Sequence, residues 1–203
     1  MKKYLFCALM CILICNLSLC AQTDEQILPS EVEETIKQQC IYKIKTLKEH
    51  LAIIASKEVA DSIKDYHIEA CLDLFVGRGN DIKDHEGNIS MLAPRIEVSS
   101  LTTGELEKYS IKNYLVRLKE SHYSKIIFEV SSLWFEGGIK NIGENLHSAS
   151  VSFDQVFIGY NGDSIVYRDK TKKKVKILIE KMNLENSYTI LLGDINTDAS
   201  YSY

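Results

Sequence analysis

The fold is decided by residues 148–180, which read SASVSFDQVFIGYNGDSIVYRDKTKKKVKILIE. Two extended runs flank Asn161-Gly162-Asp163, and Asn-Gly at a turn favours a β-hairpin because both central residues need positive φ. Apolar side chains alternate along both runs, as they do in strands with one buried face. These side chains are Ala149, Val151, Phe153, Phe157, Val175, Ile177 and Ile179. Two strands of this length predict a curved antiparallel ribbon that needs further strands or helices against its apolar face.

The first 21 residues have the pattern of a bacterial secretory signal peptide. Lys2-Lys3 forms a charged start, residues 4–19 are an apolar run, and Ala21 offers a small residue before a cleavage site. The run is too short and too poor in basic flanks for a stop-transfer segment. Leu17-Ser18-Leu19-Cys20 resembles a lipobox, so lipidation of Cys20 is the alternative to cleavage after Ala21. We therefore expect an exported protein, periplasmic or extracellular, that meets a membrane only if Cys20 carries a lipid.

Removal of this segment leaves 182 residues, enough for one domain with a sizeable core. The net charge changes from −4 to −6, because the segment carries two lysines and no acidic residue. An acidic balance argues against a nucleic-acid partner. Cys40 and Cys71 are the two cysteines that remain, too few for a disulfide scaffold. We expect two buried free thiols, with a bridge in an oxidising compartment as the alternative.

Two helices are predicted before the first strand. Ser30-Glu31-Val32-Glu33 has the pattern of a capping box, and apolar residues then recur every three or four positions as far as Ile54. A second helical pattern runs from Val59 to Leu74, includes Tyr66, and ends before Gly77. The two helices are joined by a tight turn or kink near residues 56–58.

Strands dominate the remainder of the chain. Residues 91–101 are typical of a strand, in which Pro94 indicates an edge or a bulge. Residues 102–107 lead into a short helix that carries Tyr114, and a last strand is predicted from 187 to 195. Between them, residues 123–135 form a strand whose one face carries Ile126, Phe128, Val130 and Trp134.

Helices followed by long strands indicate the α+β class, with two to three N-terminal helices covering a bent antiparallel sheet. Four stretches carry a resemblance to a known family: YLVRL at 114–118, the strand 153–159 with its YNGD turn, YRDKT at 167–171, and ILLGDI at 190–195. They resemble secreted, largely uncharacterised Gram-negative members of the nuclear-transport-factor-two-like fold. This cystatin-like cone is shared by SnoaL-like and ketosteroid-isomerase-like proteins.

The resemblance covers roughly residues 33–197 and implies a division of the chain. We expect a signal peptide over 1–21, a flexible leader over 22–32, one cone domain over 33–197 and a tail over 198–203. Fold does not imply function, so the activity must be sought in particular residues.

The resemblance to ketosteroid-isomerase-like enzymes implies a general-base carboxylate and an oxyanion hole, built from a tyrosine and a neutral acid, inside the cone. No residue matches that pattern by position, so we assign no catalytic residue. The alternative for each tyrosine is a core ring with its hydroxyl at the rim, and an outward position suits Asp154. The polar residues considered for the cone interior are Tyr66, Asp73, Tyr109, Tyr114 and Asp154.

Metal and phosphate patterns are weak. The five histidines are scattered, with no pair at helical ligand spacing. The acidic loop 81–88 fails the calcium register, because Gly87 at the sixth position would put Ile82 and Ala93 at ligand positions. Gly77-Arg78-Gly79 is too short for a phosphate loop, so we expect no metal and no cofactor.

A lysine run follows the hairpin turn. Four lysines share one face of the predicted strand, opposite Val175 and Ile177, where they keep a solvent face soluble and discourage edge pairing. Contact with an acidic lipid or polymer is the alternative. These lysines are Lys170, Lys172, Lys174 and Lys176.

The leading interpretation is a secreted, non-catalytic protein that holds a small apolar or amphipathic ligand in a cone-shaped pocket. The alternatives are a small cone-fold enzyme (isomerase, dehydratase or hydrolase) and a protein-interaction module that dimerises through the sheet face. Trp134 and its neighbours either fill the cone as solid core or line an open apolar cleft. The pocket residues predicted from the sequence are Tyr66, Leu74, Tyr114, Phe128, Trp134, Phe153 and Phe157.

Overall fold

The computed structural model describes residues 28–99, 105–182 and 187–202, the last four of them by backbone only. The predicted signal peptide, Cys20 and most of the predicted leader lie outside these ranges. Within them, no helix is both long and apolar enough to cross a membrane.

Three helices and nine strands are present in the described ranges. The helices are α1 (Ser30–Ala55), α2 (Asp61–Leu72) and α3 (Ile111–Lys119), with a short 3₁₀ turn at Val76–Gly79. The first strands are β1 (Ile82–Lys83), β2 (Ile89–Met91), β3 (Arg95–Ser99) and β4 (Leu106–Ser110). The later strands are β5 (Lys125–Phe135), β6 (Lys140–Gly143), β7 (Leu146–Asn161), β8 (Ser164–Lys181) and β9 (Tyr188–Ser202).

The main sheet has the order β4-β3-β9-β8-β7-β5, with β6 paired to β7. Its pairs are antiparallel except for β3 with β9, which run parallel. Strands β1 and β2 form a separate small hairpin. Helices against one large, mainly antiparallel sheet confirm the predicted α+β class.

The long hairpin is present, but its turn lies one residue later than predicted. Asn161 pairs with Ser164, so the two loop residues are Gly162 and Asp163. Gly162 takes a φ of +60°, and a glycine at the first loop position is typical of a type II′ turn. That turn matches the right-handed twist of the strands, so the hairpin closes tightly.

Helix α1 packs its apolar stripe against β5 and β9. The stripe meets the inner residues of the long strands, among them Val151, Val175 and Ile177, which are fully buried. Burial of each such side chain stabilises the fold by about 1.5–3 kcal/mol. The stripe consists of Ile36, Cys40, Ile44, Leu47, Leu51 and Ile54.

The predicted capping box is not formed. Ser30 is already the first helical residue, Pro29 holds the cap position, and no side chain caps the helix. The Glu33 amide donates to the Pro29 carbonyl instead (3.0 Å), so the helix begins one residue before the box would allow.

Three element predictions were wrong because tertiary pairing decided the outcome. Residues 106–110 form strand β4 against β3 rather than the approach to a helix, and β3 is therefore an inner strand that starts just after Pro94. The predicted loop after Gly138 contains β6. Strand β9 runs on to Ser202, into the stretch predicted as a tail.

A bulge in β5 changes the face of its last residues. The register with β7 shifts between Ser131 and Trp134, and Ser132 takes a φ of +52°. Before the bulge Phe128 points to the core; after it Leu133 and Phe135 do. Trp134 therefore does not continue the apolar face of Ile126, Phe128 and Val130, as the sequence predicted.

The cysteines are free, as predicted. Cys40 on α1 and Cys71 on α2 are both fully buried in the core. Burial raises the pKa of each thiol to about 12, so neither is a thiolate at neutral pH.

Candidate functional site

A cavity of about 390 Å³ lies between α3, the β3–β4 pair and the inner faces of β5, β7 and β8. Its apolar wall includes Ile96, Leu118, Ile126 and Phe157, and the exposed residues Glu107 and Arg117 mark its open side. Four tyrosines also line it: Tyr109, Tyr114, Tyr123 and Tyr167.

Helix α3 brings Tyr114 and Arg117 to the cavity. The Ser110 hydroxyl caps the helix by accepting from the Asn113 amide (3.3 Å). Ile111 and Leu115, on the neighbouring face of the helix, anchor it in the core. The turn after α3 then carries Ser121 and Tyr123 to the cavity wall.

Strand β8 supplies the polar floor. Side chains alternate along a strand, so residues 167, 169, 171 and 173 share the inner face that Val175 and Ile177 continue. All four of them line the cavity: Tyr167, Asp169, Thr171 and Lys173.

Asp169 is a buried carboxylic acid, 6% exposed. Its Oδ2 accepts a hydrogen bond from the Tyr167 hydroxyl (3.2 Å), whereas Oδ1 has no partner within the described part of the chain. Burial raises the pKa of Asp169; the Tyr167 hydroxyl, the charge of Lys173 and the Phe157 amide offset only part of this effect. Asp169 can therefore hold a proton at a pH where an exposed aspartate has lost it.

Two further oxygens are buried without a hydrogen-bond partner among the described residues, like Asp169 Oδ1. They are the hydroxyls of Ser121 and Thr171. A buried polar atom without a partner costs roughly 1–3 kcal/mol. All three oxygens belong to residues that line the same cavity, and each oxygen is itself covered, so a molecule in this space reaches them after a rotation of the side chain.

Lys173 is buried beside the cavity, at 2% exposure. Its Nζ donates to the Glu97 carbonyl (2.6 Å) and to the Thr197 hydroxyl oxygen (2.7 Å). Burial lowers the pKa of Lys173 to about 8, although Asp169 and Glu97 act in the opposite direction. The amine is thus partly neutral at physiological pH.

Three aromatic rings form part of the cavity wall. The rings of Phe157, Tyr123 and Tyr167 form a triangular cluster: the Phe157 ring centre lies 5.8 Å from that of Tyr123 and 5.6 Å from that of Tyr167, and the two tyrosine centres are 6.4 Å apart. The Tyr123 ring also covers Gly159, where an added Cβ would fall 2.6 Å from the ring. Burial raises the pKa of Tyr114 and Tyr123, so their hydroxyls stay protonated at neutral pH.

The structure brings two of the seven predicted pocket residues to this cavity, Tyr114 and Phe157. Leu74, Phe128 and Phe153 lie in the solid core. The two remaining residues lie elsewhere.

Tyr66 is 69% exposed, because its position on α2 points away from the sheet. Trp134 is turned to the outer side of the sheet by the β5 bulge, where Lys172 Nζ lies 4.8 Å from its ring centre. Neither residue lines the cavity, and the sequence prediction was wrong for both.

Of the polar residues considered from the sequence, Tyr109 and Tyr114 line the cavity. Asp73 is exposed and pairs with Arg78 (2.7 Å), and Asp154 pairs with Lys170 (3.3 Å) away from it. Neither aspartate faces the cone interior.

Sequence reasoning missed Asp169, Thr171 and Lys173. The alternation of strand side chains could have identified them, because the odd-numbered residues of this strand lie on the same face as the buried Val175 and Ile177. The lysine run concealed it, since Lys172-Lys173-Lys174 has the composition of one exposed charged segment.

No family model and no curated protein matches the sequence. Among solved structures, a protein from Novosphingobium aromaticivorans, provisionally described as a scytalone dehydratase, gives a TM-score of 0.49 at 11% identity, covering 86% of this chain and 92% of that one. The Kfla4162 protein from Kribbella flavida gives 0.35 at 11% identity, covering 81% and 95%. At these values neither likeness bears on activity, and the fold class rests on the strand order of this chain.

Proposed function

We propose that the protein binds a small amphipathic molecule in the cavity floored by β8. One observation carries the proposal: Ser121, Asp169 and Thr171 line one cavity, and each has a buried oxygen without a partner among the described residues. Its volume, about 390 Å³, falls in the range of roughly 300–1,000 Å³ usual for small-molecule sites.

The walls restrict the chemistry of the ligand. Tyrosine rings and aliphatic side chains suit an apolar body, preferably a flat one. Hydroxyl groups suit the unpartnered oxygens. A hydroxyl group donates to Asp169 Oδ1 when that carboxyl group is ionised and accepts from it when it is protonated, and it can both donate to and accept from the hydroxyls of Ser121 and Thr171. A molecule with an apolar skeleton and two or three hydroxyl groups meets both demands.

Native mass spectrometry tests the proposal. The protein is incubated with a bacterial metabolite and lipid extract, desalted, and sprayed without denaturation, and retained small molecules are identified by mass. Wild type should retain a molecule whose affinity falls at least tenfold, about 1.4 kcal/mol, in the Asp169→Asn variant.

Asp154→Asn is the matched control, because Asp154 pairs with Lys170 away from the cavity. This variant should bind like wild type. Equal loss in both variants, or no retained molecule in wild type, would refute binding in this cavity.

A second candidate function is catalysis in the same cavity, by an isomerase, dehydratase or hydrolase reaction. Asp169 favours it, because a buried carboxyl group whose pKa is raised keeps and releases a proton at a higher pH than an exposed aspartate does. The molecules recovered from wild type and from Asp169→Asn distinguish the two functions. Different molecules would indicate turnover, and the same molecule in both would indicate binding alone.

A further inference from the structure

We propose that Lys173 is a carbonyl-reactive amine, which forms an imine with an aldehyde or ketone that enters the cavity. The inference rests on the proposed function only in requiring that a small molecule can enter. It assigns a covalent role to a residue that the binding proposal does not use.

The hydrogen bonds of Lys173 fit a neutral amine. Thr197 Oγ1 gives its own proton to the Glu97 carbonyl (3.1 Å), so it can only accept from Lys173. The Glu97 carbonyl is the second acceptor. A neutral amine has two protons and one lone pair. Both protons are therefore engaged, and the lone pair is left without a role in the described structure.

A protonated Lys173 fits less well. Its third N–H would have no hydrogen-bond partner among the described residues, since only two bonds involve Nζ. No salt bridge joins Lys173 to a carboxylate in that part of the chain.

Lys64 provides the contrast. This lysine is also buried, at 4% exposure, but it lies beside the Asp61 carboxylate (3.7 Å) and does not line the cavity of Lys173. Pairing with a carboxylate is the usual way to bury a lysine. Lys173 is instead held by a carbonyl and a hydroxyl, which orient the amine without stabilising its charge as strongly.

Two acidic groups face Lys173. Asp169 lies four residues away on the same face of β8, and its own pKa is raised by burial. The Glu97 carboxylate on β3 is engaged by the Thr197 amide (2.9 Å) and by Lys108 (3.3 Å). With a pKa of about 8, roughly a quarter of Lys173 is neutral at pH 7.5, against about one in a thousand for an ordinary lysine.

The step balances without a further reagent. The nitrogen lone pair forms a bond to the carbonyl carbon, the carbonyl oxygen takes one proton to become a hydroxyl group, and the nitrogen releases one of its two protons. The hydroxyl group then takes a second proton and leaves as water, which breaks the carbon–oxygen bond, while the nitrogen releases its second proton and forms the C=N bond. The two protons that the oxygen gains balance the two that the nitrogen loses. The Asp169 carboxyl group lines the same cavity, and its raised pKa lets it supply a proton whenever it is protonated.

Reductive trapping tests the proposal. The full chain is incubated at pH 7.5 with 6-methoxy-2-naphthaldehyde and sodium cyanoborohydride, which reduces an imine to a stable secondary amine. Intact mass counts the adducts and peptide mapping locates them. We expect one adduct, on Lys173, formed about 200-fold faster than on an ordinary lysine, in proportion to the neutral fraction.

The pH profile and two variants complete the experiment. The rate at Lys173 should be half-maximal near pH 8 and level off above it, whereas exposed lysines keep gaining up to higher pH. Lys173→Met should abolish the fast adduct, and Lys176→Met, on the solvent side of β8, should leave it unchanged. Peptide mapping of wild type decides the site even if Lys173→Met fails to fold.

The outcomes separate the two proposals. Adducts spread evenly over exposed lysines, or aldehyde bound without any adduct, overturn the imine and leave ligand binding standing. A protein that retains extract molecules but no aldehyde also overturns the imine alone. A protein that takes up neither the aldehyde nor any extract molecule overturns both.

Discussion

Thr171 and Thr197 bear the same side chain on neighbouring strands but are bonded differently. The Thr171 hydroxyl is buried and, within the described ranges, makes no hydrogen bond, while that of Thr197 links Lys173 to Glu97. A buried hydroxyl that lacks a protein partner costs stability in the ligand-free protein. Such a cost is typical of binding sites, where stability and function oppose each other.

Thr171→Val should therefore stabilise the ligand-free protein by about 1 kcal/mol and weaken ligand binding, because the methyl group replaces an unsatisfied hydroxyl. Thr197→Val is the matched control and should destabilise by a similar amount, since it leaves Lys173 and Glu97 with a lost partner. Urea unfolding measures both. If both substitutions destabilise the protein, the Thr171 hydroxyl has a hydrogen-bond partner in solution. Only the oxygens of Ser121 and Asp169 would then remain as evidence for the binding site.

Gly159→Ala should destabilise by about 1–3 kcal/mol, because its Cβ would lie 2.6 Å from the Tyr123 ring and must displace it toward the cavity. Gly138→Ala is the control, since a Cβ there meets nothing within 4 Å. Thermal unfolding of both variants provides the measurement. A Tyr123→Ala background should relieve most of the Gly159→Ala penalty, and an undiminished penalty would contradict the contact.

At the scale of elements, the contact of α1 with α2 contains a histidine pair. His50 Nδ1 lies 2.8 Å from His67 Nδ1, so one ring donates and the other accepts. Burial, and then His67, lowers the pKa of His50, with Glu49 acting against them. A second proton would make both nitrogens donors and break the bond.

The pair predicts a loss of stability in mild acid. Because the folded state binds the proton on His50 less well than the unfolded chain, its contribution is complete above about pH 6.5 and is lost as the pH falls through the folded pKa. The free energy of unfolding should fall more steeply between pH 7 and 5 in wild type than in His50→Asn. Parallel slopes in the two proteins would contradict the assignment.

The elements also show why prediction from sequence succeeded in part. The β7–β8 hairpin and the stripe of α1 were predicted because period and turn chemistry are local. The β5 bulge was not predicted, because no turn or bulge residue type near Ser132 indicates the extra residue that turns Trp134 outward. Strand β4 was not predicted, because its formation depends on tertiary pairing with β3 and not on its local sequence pattern.

The candidate site was harder to predict than the fold. Tyr114 and Phe157 were found by size and polarity, but Asp169 and Lys173 were hidden in a charged run. The one sequence feature that shows them facing inward is their spacing from Val175, since residues two, four or six positions apart share one face of a strand. That spacing was available, yet burial of a lysine and an aspartate contradicts the expectation that such residues lie at the surface.

For the whole molecule, the export prediction concerns residues outside the described ranges. Cleavage after Ala21 should leave Gln22 as the first residue of the exported protein. Intact-mass measurement of the exported protein decides between this product and one with diacylated Cys20, which would make the protein membrane-anchored. The alternative of a protein that dimerises through the sheet face is tested on the same sample by sedimentation.

Tolerance to substitution in strand β8 should alternate between even-numbered and odd-numbered positions. Even-numbered positions such as Lys172 and Lys174 should accept most polar residues, whereas odd-numbered positions from Tyr167 to Ile179 should accept few. Deleting a single residue between 168 and 172 would exchange the two faces locally and bring lysines inward, at a cost of several kcal/mol for each unpaired charge. Sequence drift in this strand must therefore proceed by substitution, while changes of length are confined to its ends.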